Sequence, residues 1–321
     1  MAILKGYNKV FGICEEASYG TKTVAGMVYG EFDEESLAKE VTPILSSGIR
    51  GKGYHTRKQQ GTIDVGGSIT GNVFSEGAFP LILKGVSGSV SSAQQGGTTA
   101  YQHTISLADD IIYGDTKGLT VTIDRDVRSL DFYGMVINQL TLKSANNQNV
   151  KWTAEFIGQN QETGSTPTPT YTTAAPFLHT DAVVTIGGTT INVSDWSIII
   201  NNNYMDNYYG GGSTRIKVPR NGRRDITGSI TFPVIEDFDI YDAFIANSSA
   251  IFAVTITGVV ISGIYYHKLY IYMPIIRYDG PSSPGSGGVE VPSMEVPFRA
   301  YGDASSAEIT SMYIVSTETS I

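Results

Sequence analysis

One ten-residue pattern occurs twice in this chain, and the two copies lie half a chain apart. Residues 61–70 read GTIDVGGSIT and residues 222–231 read GRRDITGSIT, an offset of 161 in a chain of 321 residues. The identical positions are Gly61/Gly222, Asp64/Asp225, Gly67/Gly228, Ser68/Ser229, Ile69/Ile230 and Thr70/Thr231. Self-similarity at one long period is typical of a duplicated structural unit. The sequence therefore predicts two homologous units.

Each copy of the pattern alternates between apolar and polar residues. Within 62–74 the apolar residues Ile63, Val65, Ile69 and Val73 are all at odd positions, and the second copy alternates in the same phase. A period of two predicts a strand with one buried face and one solvated face. The glycines inside the strand predict bends or close packing between strands, and they lack the pattern of a phosphate-binding loop.

A predicted helix follows the strand in each half. Residues 75–88 place apolar side chains at helical spacing, with Ser75 as the expected N-cap and Gly88 as the expected stop. Residues 236–249 repeat this pattern, with acidic residues in the first turn. The strand-helix unit is therefore predicted to be duplicated as well.

Most of the remaining chain reads as strands. A content of 36 Gly and 19 Tyr with only 17% charged residues is typical of a mainly β protein, and 41% hydrophobic residues can supply two cores. The further predicted strands are 101–109, 119–127, 134–144, 150–158, 190–200, 251–260, 264–273 and 293–302. We predict a first β-domain at 1–160, a Thr/Pro-rich linker at 161–176 and a second β-domain at 177–321.

Charge and cysteine content exclude several functional classes. The net charge is −9, divided as −2 in the first half and −7 in the second, which disfavours tight binding of DNA. The single cysteine, Cys14, cannot form an internal disulfide, and this fits a reducing compartment. Since neither a leader peptide nor an apolar run of membrane-spanning length is recognisable, we expect synthesis in a bacterial cytoplasm and no membrane partner.

No residue pattern for catalysis, cofactor binding or metal binding stands out. The four histidines, His55, His103, His179 and His267, are scattered, and the acidic run at 31–40 lacks the register of a calcium loop. Trp152 and Trp196 are interpreted as core residues, although a carbohydrate platform would also use tryptophan. We therefore predict no catalytic, cofactor or metal site, and a protein that is not an enzyme.

The order of several segments resembles the tail tube proteins, or major tail proteins, of long-tailed bacteriophages. The similarity rests on EEASYGTKT (15–23), EESLAKEVTPILSSGIRGKG (34–53), the strand-helix unit at 61–88, YQHTISL (101–107), LTVTIDRDV (119–127) and residues 133–158. It extends over nearly the full length and is weakest in 190–215 and after 270. The resemblance implies tandem duplicated β-barrel or β-sandwich domains, each with one flanking α-helix on its outer side.

The same resemblance implies an assembly in the virion tail. Sheets would join between subunits around a channel, and rings would stack into a tube that conducts the genome into the host. Because family tubes of single-domain subunits form six-fold rings, a duplicated chain is expected to form rings of three. The implied partners are further copies of the chain, the tape measure protein, the tail terminator and baseplate or distal tail proteins, with double-stranded DNA passing without specific binding.

Two sets of residues are assigned to this assembly. On the polar face of the strands, the residues predicted to face the lumen are Asp64, Ser68, Thr70, Glu155, Asp225 and Ser229, whose carboxylates would keep the channel negative. Two basic loops precede the matched strands and are predicted to contact the next ring. Their cations are Arg50, Lys52, Arg57, Lys58, Lys217, Arg220, Arg223 and Arg224.

Three other interpretations remain open at the level of sequence. One is a tandem β-sandwich adhesin that binds carbohydrate, and another is an enzyme whose carboxylates meet only in space. The third is a tail completion or baseplate hub protein. The polar face of the strands could also lie on the outside of the molecule.

Overall fold

A computed structural model of the chain describes residues 8–47, 51, 53–55, 57–108, 112–233, 239–280, 293–302 and 310–321. Within these ranges the chain forms nineteen strands and two α-helices, so the predicted mainly β class is confirmed. The strands are β1 (Val10–Glu15), β2 (Val28–Gly30), β3 (Glu34–Glu35), β4 (Ala38–Leu45), β5 (Lys58–Asn72), β6 (Gly88–Gln94), β7 (Tyr101–Leu107), β8 (Leu119–Asp124), β9 (Ser129–Ala145), β10 (Lys151–Gly158), β11 (Asn160–Thr163), β12 (Ala182–Ile186), β13 (Thr189–Ile191), β14 (Asp195–Asn201), β15 (Asp225–Phe232), β16 (Ala250–Ser262), β17 (Tyr265–Tyr278), β18 (Met294–Ala300) and β19 (Ser311–Ser316). The helices are α1 (Ala78–Ser87) and α2 (Asp239–Ile245). None of the helices described is long and apolar enough to cross a membrane.

One antiparallel sheet runs through both halves of the chain, and we call it the spanning sheet. Its order is β4, β5, β10, β9, β14, β15 and β18, with β3 beside β5 and the end of β17 beside β18. The halves meet where β9 pairs with β14, from Ala145 opposite Asp195 to Gln139 opposite Asn201. Hydrogen bonding between strands therefore continues from the first unit into the second.

A second group of strands joins the halves again, and we call it the back sheet. Its order is β6, β7, β19, β17, β16 and β12, with β13 at the edge. The pairing of β7 with β19 connects residues more than 200 positions apart, such as Ile105 and Met312. Strands β1, β2, β8 and β11 complete the fold along the first part of β9.

The core lies against the apolar face of the spanning sheet. Trp152 of β10 and Trp196 of β14 are both buried there, as their alternation with polar neighbours predicts. Helix α1 packs on this face, with the rings of Phe79 and Trp152 centred 6.5 Å apart. Nine of its ten residues are buried, so α1 is enclosed by the strands around it rather than lying on an outer surface.

The ends of the helices differ in part from the prediction. Gly88 ends α1 in the left-handed conformation at φ 98°, as expected of a C-terminal glycine. Ser75 is not the N-cap, because α1 begins after Gly77 and the Ser75 hydroxyl instead lies 2.7 Å from Nδ1 of His267. The second helix was predicted at 236–249, and α2 covers seven residues of that range. Residues 236–238 of the predicted range lie outside the described residues.

Part of the segment predicted as a linker packs against the first half of the chain. Residues 161–163 belong to β11, which pairs with β9. Farther along, the Thr172 hydroxyl donates a 2.8 Å hydrogen bond to Glu76, just ahead of α1. The predicted strands occur with shifted ends, except that the strand predicted at 190–200 is divided between β13 and β14. The strands that were not predicted are β1, β2, β3, β4, β6, β11, β12 and β19.

The repeat has a structural counterpart at the same offset of 161. The hydroxyl oxygens of Ser36 and Ser68 lie 3.1 Å apart, and those of Ser197 and Ser229 lie 3.0 Å apart. The backbone hydrogen bonds Asp33 N to Thr70 O (2.8 Å) and Ser194 N to Thr231 O (2.9 Å) also correspond. In each half, the strand that precedes the repeated pattern therefore pairs with it in the same register. Strand β14 occupies the position in the second half that β3 and β4 occupy in the first.

Close approach of neighbouring strands explains one of the two glycines that the copies share. A Cβ on Gly67 would lie 2.5 Å from the carbonyl oxygen of Ser36, and a Cβ on Gly228 would lie 2.5 Å from that of Ser197. Carbon and oxygen atoms that are not bonded do not come this near, so a side chain would push the strands apart. The glycines of the first copy were predicted to permit bends or close packing, and close packing is what Gly67 provides; Gly228 has the same contact in the second copy.

Candidate functional site: the polar face of the spanning sheet

The face of the spanning sheet opposite the core carries rows of polar side chains that cross both halves. Strand pairing aligns these side chains across β5, β10, β9, β14 and β15, and in two rows across β18 as well. The first row is Ser68, Glu155, Gln139, Asn201 and Asp225. The second is Thr70, Thr153, Thr141, Ile199, Thr227 and Arg299, and the third is Asn72, Lys151, Lys143, Ser197, Ser229 and Pro297.

Hydroxyl and amide groups on this face bond to one another across the strands. The Oγ1 atoms of Thr70 and Thr153 lie 3.0 Å apart. The Gln139 amide donates a 3.4 Å hydrogen bond to Glu155 and accepts one at 3.5 Å from Asn201. Mutual bonding of this kind leaves few strong donors directed away from the sheet.

The six residues predicted to face the lumen all lie on this face. Ser68, Thr70, Glu155, Asp225 and Ser229 belong to the three rows, and Asp64 lies farther along β5, opposite Glu40. The structure therefore brings the predicted residues of both halves onto one surface.

Asp64 is bound by an arginine that sequence reasoning missed. Nη2 of Arg215 lies 2.7 Å from Asp64 Oδ1, and the Tyr209 hydroxyl donates a hydrogen bond to the same oxygen. The Arg215 side chain is 6% exposed, and its Nη1 also donates to the carbonyl oxygen of Gly158 at 2.7 Å. No local sequence signal pointed to this pair, because its members are 151 residues apart.

Asp225 is likewise paired with a distant arginine. Nη1 of Arg299 lies 2.8 Å from both carboxylate oxygens of Asp225, while Nε of Arg299 donates to Asp279 at 2.8 Å. Within the three rows, Glu155 and Asp225 are accompanied by the cations Lys143, Lys151 and Arg299. The expectation that Asp64 and Asp225 make this face strongly negative therefore needs correction, because each carboxylate lies against a guanidinium.

Some of the basic residues assigned to the second loop bind other residues of the same chain. Lys217 forms an ion pair with Asp115, and Arg224 donates to Asn202 Oδ1 at 2.7 Å. Arg220 pairs through its backbone with Tyr204, and Arg223 is exposed. The loop at 202–224 is thereby folded onto the first half of the same chain.

The first basic loop has a different setting. Arg57 and Lys58 are exposed at the outer end of the β4–β5 hairpin, whose strand β4 is solvent-facing along most of its length. Arg50 and Lys52 lie outside the described residues. The hairpin therefore leaves Arg57 and Lys58 accessible to another molecule.

The histidines serve as hydrogen-bonding groups in separate places. The contacts are His103 with Ser92 (2.8 Å) and Ser316 (3.1 Å), His179 with Ser144 (2.8 Å), and His267 with Ser75 (2.7 Å). Burial lowers the pKa of His103 and of His267, which favours their neutral forms. Across the described ranges, no three His, Cys, Asp or Glu side chains come together in the manner of a metal site.

Comparison with known families gives one match. A family model described as "Phage tail tube protein" matches residues 6–300. No curated protein matches the chain. The family match spans both copies of the repeat and every strand of the spanning sheet.

Proposed function

The chain belongs to the phage tail tube protein family, and on this basis we propose that the polar face of its spanning sheet lines the channel of the tube. Family membership makes it a structural component of the virion tail that assembles with other tail proteins. The observation that carries the proposal is the continuity of one polar face through both halves. A surface that repeats along the whole chain suits a wall built from many copies.

The strand count supports rings of three chains. Each half contributes four strand positions to the spanning sheet: β3–β4, β5, β10 and β9 in the first half, and β14, β15, β18 and β17 in the second. Three chains therefore supply six sets of four strands, with approximate six-fold symmetry. At about 4.8 Å per strand, 24 strands give a circumference of about 115 Å, and a diameter of about 37 Å before tilt widens the barrel. Such a channel is wide enough for a DNA double helix.

The chemistry of the face suits DNA that moves past without binding. An array of free cations would hold phosphates through release of counterions. Here hydroxyl and amide groups dominate the rows, Arg299 is occupied by Asp225 and Asp279, and Lys151 is 3.0 Å from Asp33. The wall is therefore weakly charged rather than strongly acidic, and it offers DNA few attachment points.

Stacking of rings is assigned to the β4–β5 hairpin. Arg57 and Lys58 lie near its tip, whereas the exposed acids Glu31 and Glu34 lie near the opposite end of the same strands. About twelve residues of β5 separate the two ends, which is about 40 Å at 3.3 Å per residue. A head-to-tail stack would bring the basic tip of one ring to the acidic end of the next.

The remaining parts of the proposal follow from the family. We infer contacts with a tape measure protein inside the tube, a tail terminator at one end, and baseplate or distal tail proteins at the other. In this proposal the genome passes through the channel during ejection without any reaction catalysed by the chain. We therefore assign the chain no enzymatic role.

Electron microscopy with chemical labelling tests the proposal. Purified protein is expected to form extended tubes of stacked rings, whereas an adhesin or a tail completion protein would remain in discrete particles. In tubes, a cysteine at position 155 (Glu155→Cys) should be protected from a bulky maleimide, while one at exposed position 264 (Ile264→Cys) should react. A tube in which position 155 reacts as fast as position 264 would show that the polar face is external.

A further inference from the structure

The basic loop that precedes β15 contains a dipeptide that is chemically unstable in proteins. Asn221 is followed by Gly222, and no other asparagine in the sequence precedes a glycine. Asparagine is counted among the thermolabile residues, because the backbone nitrogen of the next residue can attack its side-chain amide. A glycine in the next position leaves that nitrogen unshielded, since glycine has no Cβ. Whether such a dipeptide reacts depends on how the fold holds it.

The fold leaves the reacting groups of Asn221 and Gly222 unengaged. Both residues are exposed, and they lie in an irregular stretch just before β15 begins. Within the part of the chain that the structure describes, no acceptor is bonded to the Gly222 N–H and no hydrogen bond holds the Asn221 side-chain amide. A Cβ placed on Gly222 would have its nearest neighbour, Asn203 Cβ, at 3.7 Å. The backbone nitrogen of Gly222 and the side-chain carbon of Asn221 therefore have room to approach each other.

A second asparagine of the same chain has a different setting. Asn247 precedes Ser248 just after helix α2, and both residues are exposed. The backbone N–H of Ser248, however, donates a 2.9 Å hydrogen bond to the carbonyl oxygen of Ala243. The nitrogen that would attack Asn247 is therefore occupied, and the side chain of Ser248 adds bulk beside it. Asn247 supplies a control within the same molecule.

We propose that Asn221 is a site of spontaneous deamidation in the folded chain. The backbone nitrogen of Gly222 bonds to Cγ of Asn221, the bond from Cγ to Nδ2 breaks, and Nδ2 leaves as ammonia with the proton of the backbone amide. Water then opens the succinimide ring. Cleavage at Cγ gives aspartate, whereas cleavage at the backbone carbonyl carbon gives isoaspartate, in which the main chain continues through Cγ. The net reaction consumes water, releases ammonia and transfers no electrons.

Either product changes how this loop is held. The new carboxylate adds a negative charge to a chain whose net charge is −9, between the attracting cations Arg220 and Arg223. Isoaspartate also adds a carbon to the main chain of a loop that contacts Asn203 twice. The Asn221 N–H donates to the Asn203 carbonyl oxygen at 2.7 Å, and Nδ2 of Asn203 donates to the carbonyl oxygen of Arg223. The added carbon lies between these contacts, so both cannot keep their geometry.

Mass spectrometry of the purified chain, incubated at neutral pH, tests the proposal. Fragments that contain Asn221 should gain one mass unit and separate into two products, isoaspartate and aspartate, while fragments that contain Asn247 should stay unchanged. The reference is the free peptide PRNGRR (219–224), in which no fold restrains the dipeptide. The folded chain should convert at a rate within about an order of magnitude of the peptide. Slower conversion than this would show that the fold protects Asn221, and the proposal would be wrong.

A matched variant identifies the attacking group. Gly222→Ala places a methyl group beside the nitrogen at a position with room for it, so the chain should fold as the wild type does. Its mass gain should be slower by about an order of magnitude, which corresponds to about 1.4 kcal/mol in the activation barrier. An equal mass gain in this variant and the wild type would exclude attack by residue 222 and overturn the proposal. The proposed tube is not at issue in either result, because the reaction needs only the folded chain.

Discussion

Arg215 places its guanidinium 2.7 Å from the carboxylate of Asp64, although the two residues belong to different halves of the chain. Arg215 is almost fully buried, whereas Asp64 is 44% exposed. Removing the carboxylate therefore leaves a buried cation without its counter-ion, which is the costly way to break such a pair.

The pair predicts unequal effects of one substitution at two repeated positions. Asp64→Asn should lower the free energy of unfolding by about 2 kcal/mol, a value reduced from that of a fully buried pair because Asp64 is partly exposed. Asp225→Asn should cost less than half as much, because Arg299 is 40% exposed and keeps Asp279. Urea unfolding of the two variants measures both values, and equal costs would contradict this account of Arg215.

The repeated glycine predicts a matched pair of destabilising substitutions. Gly67→Ala and Gly228→Ala should each cost about 1–3 kcal/mol, because the new methyl group meets a carbonyl oxygen of the neighbouring strand. Gly222→Ala is the control, since its nearest neighbour, Asn203 Cβ, would be at an ordinary 3.7 Å. Thermal unfolding should rank the control near the wild type and the two variants well below it.

The proposal that the polar face lines the channel predicts the effect of adding cations there. Asp64→Lys is unsuitable, because it would set a lysine against buried Arg215. Glu155→Lys with Asn201→Lys should permit assembly and slow DNA ejection by an order of magnitude or more at low salt, through contacts with phosphates. Raising the salt from about 50 to 200 mM should restore much of the rate. Glu155→Gln should eject normally, and a normal rate in the lysine variant at low salt would argue against a channel lining.

The hairpin predicts a variant that folds but does not stack. Arg57→Glu with Lys58→Glu should leave the circular dichroism spectrum and the melting temperature unchanged, because both side chains are exposed. Rings of this variant should fail to extend into tubes, as seen by microscopy. Arg128→Glu reverses an exposed cation outside the hairpin and outside the three rows, and it should still give tubes.

Because the thiol of Cys14 is buried, we expect thiol reagents to label it slowly. We also expect the folded protein to lose stability at alkaline pH. Burial, aided by the carboxylates of Glu16 and Asp131, raises the pKa of Cys14 from 9.0 to about 12. The thiol therefore stays protonated in the folded chain while the unfolded chain ionises, so its contribution to stability is complete below pH 9 and declines as the pH rises from 9 to 12. A thiol reagent at pH 8 should react with Cys14 only as fast as the chain opens, and fast labelling of the native protein would contradict this burial.

Local patterns in the sequence identified most of the strands and the orientation of their faces. Alternation around Ser68 and Ser229 is a property of consecutive residues, so it could be read without knowing the fold. The partners of Asp64 and Asp225 could not, because Arg215 and Arg299 meet them through folding over long distances. The N-cap at Ser75 was wrong for the same reason, since the hydroxyl was taken by distant His267.

The pairing of β7 with β19 sets the order in which a newly made chain can mature. Translation proceeds from the first residue, so β7 leaves the ribosome about 200 residues before its neighbour exists. Until the last strand emerges, one edge of β7 has no partner and the back sheet remains open. A chain that still lacks β19 is therefore an incomplete building block, with an unpaired strand edge where the finished molecule has a continuous sheet.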